Sequence, residues 1–184
     1  MIITISGMPG SGKTTVAKLL AKKLRLKFYS IGDLRGRMAM EHGLTIDQLN
    51  EIGMREEWTD READEYQKKL AEKEKDFVIE SRLGFYFIPQ SLKIFLDVDI
   101  TTAAQRIFKV SRPDEKKRKS VKETLESIKK RTESDRMRYK KYYNVDFTDR
   151  SQYDIVIDTT NLTVEQVADK IIREIKRIAH KVKK

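Results

Sequence analysis

The stretch Gly7-Met8-Pro9-Gly10-Ser11-Gly12-Lys13-Thr14 constrains this chain more than any other feature. It fits G-x-x-x-x-G-K-[ST], a loop that cradles phosphate, with every fixed position filled. Glycines let successive backbone N–H groups turn toward an anion with no Cβ in the way. Lys13 supplies a cation for the β- and γ-phosphates of a nucleoside triphosphate, and Thr14 a hydroxyl for Mg2+. With Thr15 they open a helix whose positive end points at the same phosphates. The flanks fit this context. Residues 1–6 are a short apolar, β-branched run suited to a buried parallel strand. Val16, Leu19, Leu20 and Leu24 then follow the helical period.

Four more strands are expected at 27–31, 77–80, 93–97 and 153–158. Capping-box spacings at Thr45/Gln48, Thr59/Glu62, Ser120/Glu123 and Thr163/Gln166 propose helix starts near 46, 60, 121 and 164. Strands alternating with helices predict an α/β fold of the P-loop NTPase type. It has three layers, a five-stranded parallel sheet with helices on both faces. A ligand belongs at the carboxyl ends of such strands. A single domain over 1–184 is expected, its core made of residues 1–32, 76–109 and 142–184. Residues 33–75 read as a helical insert that binds the acceptor. Residues 110–141 read as a lid with the helix that follows it.

Composition excludes several classes. The chain has no cysteine, so disulfides and thiolate metal sites are ruled out. No apolar run reaches the roughly 20 residues of a membrane span, and strand and phosphate loop begin at once, with no leader pattern. A cytoplasmic monomer acting on small molecules is expected. Lys and Arg exceed Asp and Glu by 39 to 29, a balance that can signal nucleic acid. The excess is local, however. Residues 109–141 carry 14 basic against 6 acidic residues, and residues 170–184 carry 7 against 1, so the remainder is net negative. The first cluster lies where phosphoryl transfer needs cations; the second is the polar face of a terminal helix. Nucleic acid is not the expected partner.

Several polar residues fall at strand ends or on one helix face. Glu80, at the end of the third strand, is placed to hold Mg2+ or its water shell, and Arg82 to grip a phosphate bidentately. Ser30 and Gly32 close the second strand. Beyond them Arg35 and Arg37 point in different directions on a helix, and Arg37 is the one assigned to the acceptor phosphate. Arg112 and Arg118 flank a basic, proline-interrupted segment that reads as a lid. Arg131, Asp135 and Arg138 share a helix face, as do Asp60, Asp64 and Gln67, with Arg61 beside them. Carboxylates on that second face can accept from the exocyclic amine of a base. Trp58 reads as a packing residue, Tyr139, Tyr142 and Tyr143 as packing the helix onto the sheet, and His42 and His180 have no assigned role.

The order of these pieces resembles the nucleoside monophosphate kinases, most closely the archaeal-type cytidylate kinases. The matching segments are Gly7–Thr14, Ser30-Ile-Gly-Asp-Leu34, Asp60-Arg-Glu62 with Asp64, and Glu80-Ser-Arg-Leu83. Lys93–Asp97, Arg131 with Asp135–Tyr139, and Tyr153–Thr159 complete the series. The resemblance implies transfer of the ATP γ-phosphoryl group to CMP or dCMP. It places Gly12, Lys13 and Thr14 on ATP–Mg2+, Arg82 on the acceptor phosphate, and Arg131, Asp135 and Arg138 between acceptor and lid. The main chain at Thr159–Asn161 is implied beside adenine. The family has an aromatic and then an arginine where this chain has Arg35 and Gly36, and a glycine where it has Ser81. Two alternatives remain open at this point: a kinase for UMP, AMP or a small alcohol, and a nucleotide-gated, RNA-associated binding protein.

Overall fold

In the computed structural model of the protein, the described residues are 1–110 and 118–182, residues 181 and 182 by backbone alone. Arg112 therefore lies outside them. Five strands form one sheet: β1 Ile2–Gly7, β2 Lys27–Ser30, β3 Phe77–Glu80, β4 Leu92–Asp97 and β5 Ile155–Asp158. All neighbours are parallel, in the order β2-β3-β1-β4-β5. The first strand thus lies at the centre, and the phosphate loop leaves its carboxyl end between β3 and β4.

Side-chain alternation explains why both faces are covered. Ile3 and Ile5 of β1, with Val78, Ile94 and Leu96, pack on Val16, Ala17 and Leu20 of α1 (Lys13–Leu24). The same cluster takes in Val167 and Ile171 of α8 (Val164–Val182). On the other face Ile2, Phe77 and Ile79 meet Ile31, Ala63 and Leu70. Those residues come from α2 (Ile31–Glu41) and α4 (Trp58–Lys73), which enclose α3 (Ile46–Gly53). Phe95 meets Phe85 from α5 (Gly84–Phe87), together with Tyr139, Phe147 and Tyr153. The remaining helices are α6 (Ile100–Phe108), α7 (Val121–Tyr143) and a 3-10 turn at Arg150–Gln152. Among the described residues no helix is long and apolar enough to cross a membrane.

Three of the four expected caps form. Thr45 and Gln48 make both bonds of a capping box at α3. The Ser120 hydroxyl accepts from Glu123 N–H at 3.1 Å to start α7, and Thr163 with Gln166 starts α8. The fourth expectation is corrected. α4 begins at Trp58, and Thr59 is buried inside its first turn, donating back to the Glu56 carbonyl. The helix assigned to end near 141 runs on to Tyr143. Trp58 proves 38% exposed, holding Glu56 through its indole N–H and packing on His42. Tyr139 and Tyr143 do pack toward the sheet. Tyr142 does not: its hydroxyl donates to the Gly53 carbonyl at 3.0 Å and so closes the end of α3.

Among the described residues two other than glycine hold left-handed backbone, Arg25 and Asn144, each at φ 55° after a helix end. Asparagine tolerates that region; arginine carries the Cβ penalty. Arg25 is exposed, so Arg25→Gly removes strain and little else. The substitution is expected to stabilise the protein by about 1 kcal/mol, raising the melting temperature by about 2–4 °C. An unchanged or lower melting temperature would show that no strain resides there.

Candidate active site

The phosphate loop is held open by backbone geometry no other residue could adopt. Gly7 has φ +145°, and a Cβ on it would fall 2.1 Å from the Leu96 carbonyl oxygen. Gly10 has φ +78° and lies against Ala103 of α6, where a Cβ would come within 2.7 Å of backbone. Inside the loop, Lys13 Nζ donates to the Met8 carbonyl at 2.9 Å. Burial, and then the Arg82 charge, lower the Lys13 pKa to about 7, with Glu80 opposing them and Arg131 adding to the fall. An ammonium this reluctant to stay charged fits a site completed by an anion. The Ser11 hydroxyl is buried in the same loop with no hydrogen-bond partner among the described residues.

A cavity of about 400 Å³ opens from this loop. Pro9, Gly10, Gly12, Lys13, Thr14 and Thr15 form one wall, and Glu80, Ser81, Arg82 and Leu83 at the end of β3 the floor. Gly32 leaves room for the Glu80 carboxylate, 3.3 Å from where a Cβ would stand. Ser30 does not line the cavity. Its hydroxyl accepts from Asp33 N–H as the cap of α2 and donates to Glu80 Oε2 at 2.8 Å, fixing that carboxylate from behind.

The wall facing the loop is built by the insert and α7. Here alternating charges run through the interior. Arg35 pairs with Asp60, and Asp60 Oδ2 with Arg138 Nε at 2.9 Å. Arg138 reaches Asp135 at 2.8 Å, and Asp135 reaches Arg82 at 2.7 Å. Asn50 of α3 accepts from Arg35 at 2.9 Å and from Arg138 at 3.4 Å. Burial drives the Asp135 pKa up, but Arg82 and Arg138 overcome it and hold the carboxyl ionised. Burial lowers Arg35 to about 10, helped by Arg138. Asp64 lies on the same α4 face and accepts from the Tyr143 hydroxyl. Burial raises Asp64 to about 6 despite that bond. Gln67 is turned to the Ser81 hydroxyl, which donates to it at 2.6 Å.

On the opposite side Arg106 of α6 ties three segments together. Its guanidinium donates to the Gly10, Thr159 and Thr160 carbonyls. The Thr159 hydroxyl in turn donates to the Ser11 and Asp97 carbonyls. Sequence reasoning missed Arg106, in the last turn of α6, since a single arginine near a helix end carries no spacing signal that names its partners.

The expectations for Arg37 and Arg61 need correction. Arg37 is exposed and off the cavity, while Arg35 is buried within it. Ile31 begins α2 already capped by Ser30, and that phase points residue 35 inward. Arg61 is exposed and paired with Glu57 one turn away, because the α4 face that turns inward is 60, 64 and 67. Asn161 is exposed beyond β5, and Thr159 serves the loop rather than the cavity surface. Arg118 lies 3.9 Å from Asp47 of α3, outside the cavity lining. Arg131, Asp135 and Arg138 line the cavity together, as their shared face predicts.

Lys13 supplies a test of the loop. Its folded pKa is depressed, so between pH 7 and the unfolded value of 10.5 the unfolded chain binds the extra proton and stability rises with pH. Lys13→Met removes that cost. The ligand-free variant is expected to be more stable than wild type by on the order of 3 kcal/mol at pH 7, the gap narrowing toward pH 10. Denaturant titration across that range checks it; a less stable variant would refute the assignment.

The cytidylate kinase-like family model matches residues 2–161. A cytidylate kinase from Archaeoglobus fulgidus is 35% identical over 97% of this chain and 97% of its own. An S-adenosylmethionine-dependent nucleotide dehydratase from Lacinutrix mariniflava is 38% identical over 92% of this chain, but only 35% of its own length is matched. Among solved structures, shikimate kinase from Aquifex aeolicus matches 97% of this chain and 98% of its own at a TM-score of 0.61 and 21% identity, a likeness of fold. The chain belongs to the cytidylate kinase-like family and is an ATP-dependent nucleoside monophosphate kinase.

Proposed function

We propose that the protein transfers the γ-phosphoryl group of ATP to CMP or dCMP. One observation carries this reading: six cationic side chains, Lys13, Arg35, Arg82, Arg106, Arg131 and Arg138, line one cavity whose insert wall bears the acceptors Asn50, Asp60 and Asp64. Phosphates belong among the former and an amine-bearing base against the latter. In this reading residues 33–75, which take in most of α2 with α3 and α4, form the acceptor insert, and residues 110–141 the lid and the helix behind it.

Transfer of this kind needs little covalent help from the protein, so positioning and charge supply the rate. Gly12, Lys13 and Thr14 grip the donor phosphates, and Arg82 and Arg138 the acceptor phosphate. Arg131 lies between them, close enough to Lys13 to depress its pKa. Among the described residues no three carboxylate or imidazole groups cluster to hold a metal by themselves. Mg2+ therefore fits a site made by Thr14, Glu80, nucleotide phosphates and water. When bound it neutralises phosphate charge. Glu80, buried and held by Ser30, is preset for that part.

ADP release from ATP–Mg2+ with CMP, dCMP, UMP, AMP and GMP supplied separately tests the acceptor. CMP or dCMP is expected to be turned over well above the others, and Lys13→Ala to abolish turnover. A preference for another monophosphate would overturn the base assignment. The arginine correction has its own test. Arg35→Ala is expected to lower kcat/KM at least about tenfold, as loss of a charged buried hydrogen bond implies, and Arg37→Ala to leave it within about twofold. The reverse ranking would restore Arg37.

A further inference from the structure

Tyr143 is the last residue of α7, and the sequence marks it only as an aromatic that packs. Its surroundings give it more to do. The ring touches Tyr139, Tyr142, Tyr86 and Phe87, at centroid distances of 5.4–6.3 Å, so the side chain has little freedom. That cage aims the hydroxyl at one oxygen of Asp64, to which it donates. Asp64 lines the cavity between Asp60 and Gln67. Both of those neighbours are already committed, Asp60 to Arg35 and Arg138, Gln67 to the Ser81 hydroxyl. Asp64 is thus the carboxylate on this wall paired to no arginine within ion-pair distance among the described residues.

We propose that Asp64, oriented by the Tyr143 hydroxyl, reads the exocyclic group of the acceptor base and selects an amine over a carbonyl. This rests on the monophosphate kinase site proposed above. The physical ground is complementarity. A carboxylate only accepts, so it bonds the 4-amino group of cytosine and repels the 4-carbonyl of uracil. Tyr143 occupies one oxygen as a donor, which leaves the acceptor capacity of the other for the base. A site built to hydrogen-bond a substrate amine rejects the analogue lacking it, because its own buried group then goes unpaired.

The selection carries a pH dependence. A protonated Asp64 can donate, and a uracil carbonyl then becomes an acceptable partner. Burial places that proton at a pKa of about 6, with the Tyr143 bond, Arg35, Lys68 and Arg138 pulling it lower. Those groups come from α7, α2 and α4. Asn50 of α3 is neutral, α5 offers only Tyr86, and β3 offers Glu80 to the same cavity. The arginines stay charged over the pH range of interest, so the carboxyl is what changes there.

The experiment measures kcat/KM for CMP and for UMP, two acceptors differing at this edge, from pH 5 to 8.5. It uses the full chain as wild type, Tyr143→Phe and Asp64→Asn. In wild type the CMP/UMP ratio is expected to fall about tenfold or more below pH 6, following one titration. Tyr143→Phe removes a bond that favours the carboxylate, so the titration moves to higher pH and the CMP KM rises more than kcat falls. A merely structural tyrosine would not move the pH midpoint. Asp64→Asn, whose amide both donates and accepts, is expected to give a small ratio that no longer varies with pH. CMP turnover with a ratio independent of pH in wild type would overturn this inference and leave the kinase reading standing. Turnover with neither CMP nor UMP would overturn both. The wild-type profile decides the matter even if a variant fails to fold.

Discussion

Arg138 is 1% exposed, and a guanidinium so far from water is tolerated only when its charge is matched. The matching is done by two aspartates from different parts of the chain, Asp60 from α4 and Asp135 from its own helix. Each aspartate is shared with a second arginine, Arg35 on one side and Arg82 on the other. The result is a string of five side chains that starts in the insert, crosses α7 and ends at the strand beside the phosphate loop. Removing either aspartate would take the carboxylate partner from one arginine, Arg35 or Arg82, and leave Arg138 with half of its own. The insert, α7 and the sheet are therefore fastened to one another by charge where a core would use apolar area.

This arrangement suits a phosphate transferase because its excess is positive. Three arginines face two aspartates, and Lys13 and Arg131 add to the same cavity. An incoming phosphate meets donors already oriented by their partners, so little reorganisation is needed. Those partners also explain why the arginines can wait in a cavity without one another's repulsion unfolding it. The Lys13 pKa of about 7 records first its burial and then the repulsion of Arg82 and Arg131 that remains before an anion arrives.

Much of this was legible in the sequence, for physical reasons that differ by element. The phosphate loop was readable because its backbone shape demands glycine at fixed positions, and Gly7, Gly10 and Gly12 all have positive φ. The faces Asp60/Asp64/Gln67 and Arg131/Asp135/Arg138 were readable because helical period is local. Arg37 was chosen over Arg35 because direction depends on where α2 starts, and Ser30 as its cap was not recognised. The Thr59 spacing copied a capping box, yet burial of its hydroxyl committed it elsewhere. Arg106 and Tyr143 were invisible as site residues since their partners lie 53 and 79 positions away. Local pattern states what a residue can do; tertiary packing states to whom.

The position of α3 has a mechanical consequence. This helix of eight residues is touched near its start by Arg118, at Asp47, and is closed at its end by Tyr142 and Lys141 on the Gly53 and Met54 carbonyls. All three partners lie at or beyond the ends of α7, a rod of about 34 Å. Between those ends sit Arg131, Asp135 and Arg138. A long helix whose flanks touch a short one near both ends of the latter, and whose cavity-lining face lies between, acts as a beam with the cavity at mid-span. Any tilt of α7 must drag α3 along, and with it the wall that bears Asn50. A displacement of α7 is thus passed to the wall that bears Asn50 through one ion pair and two hydrogen bonds.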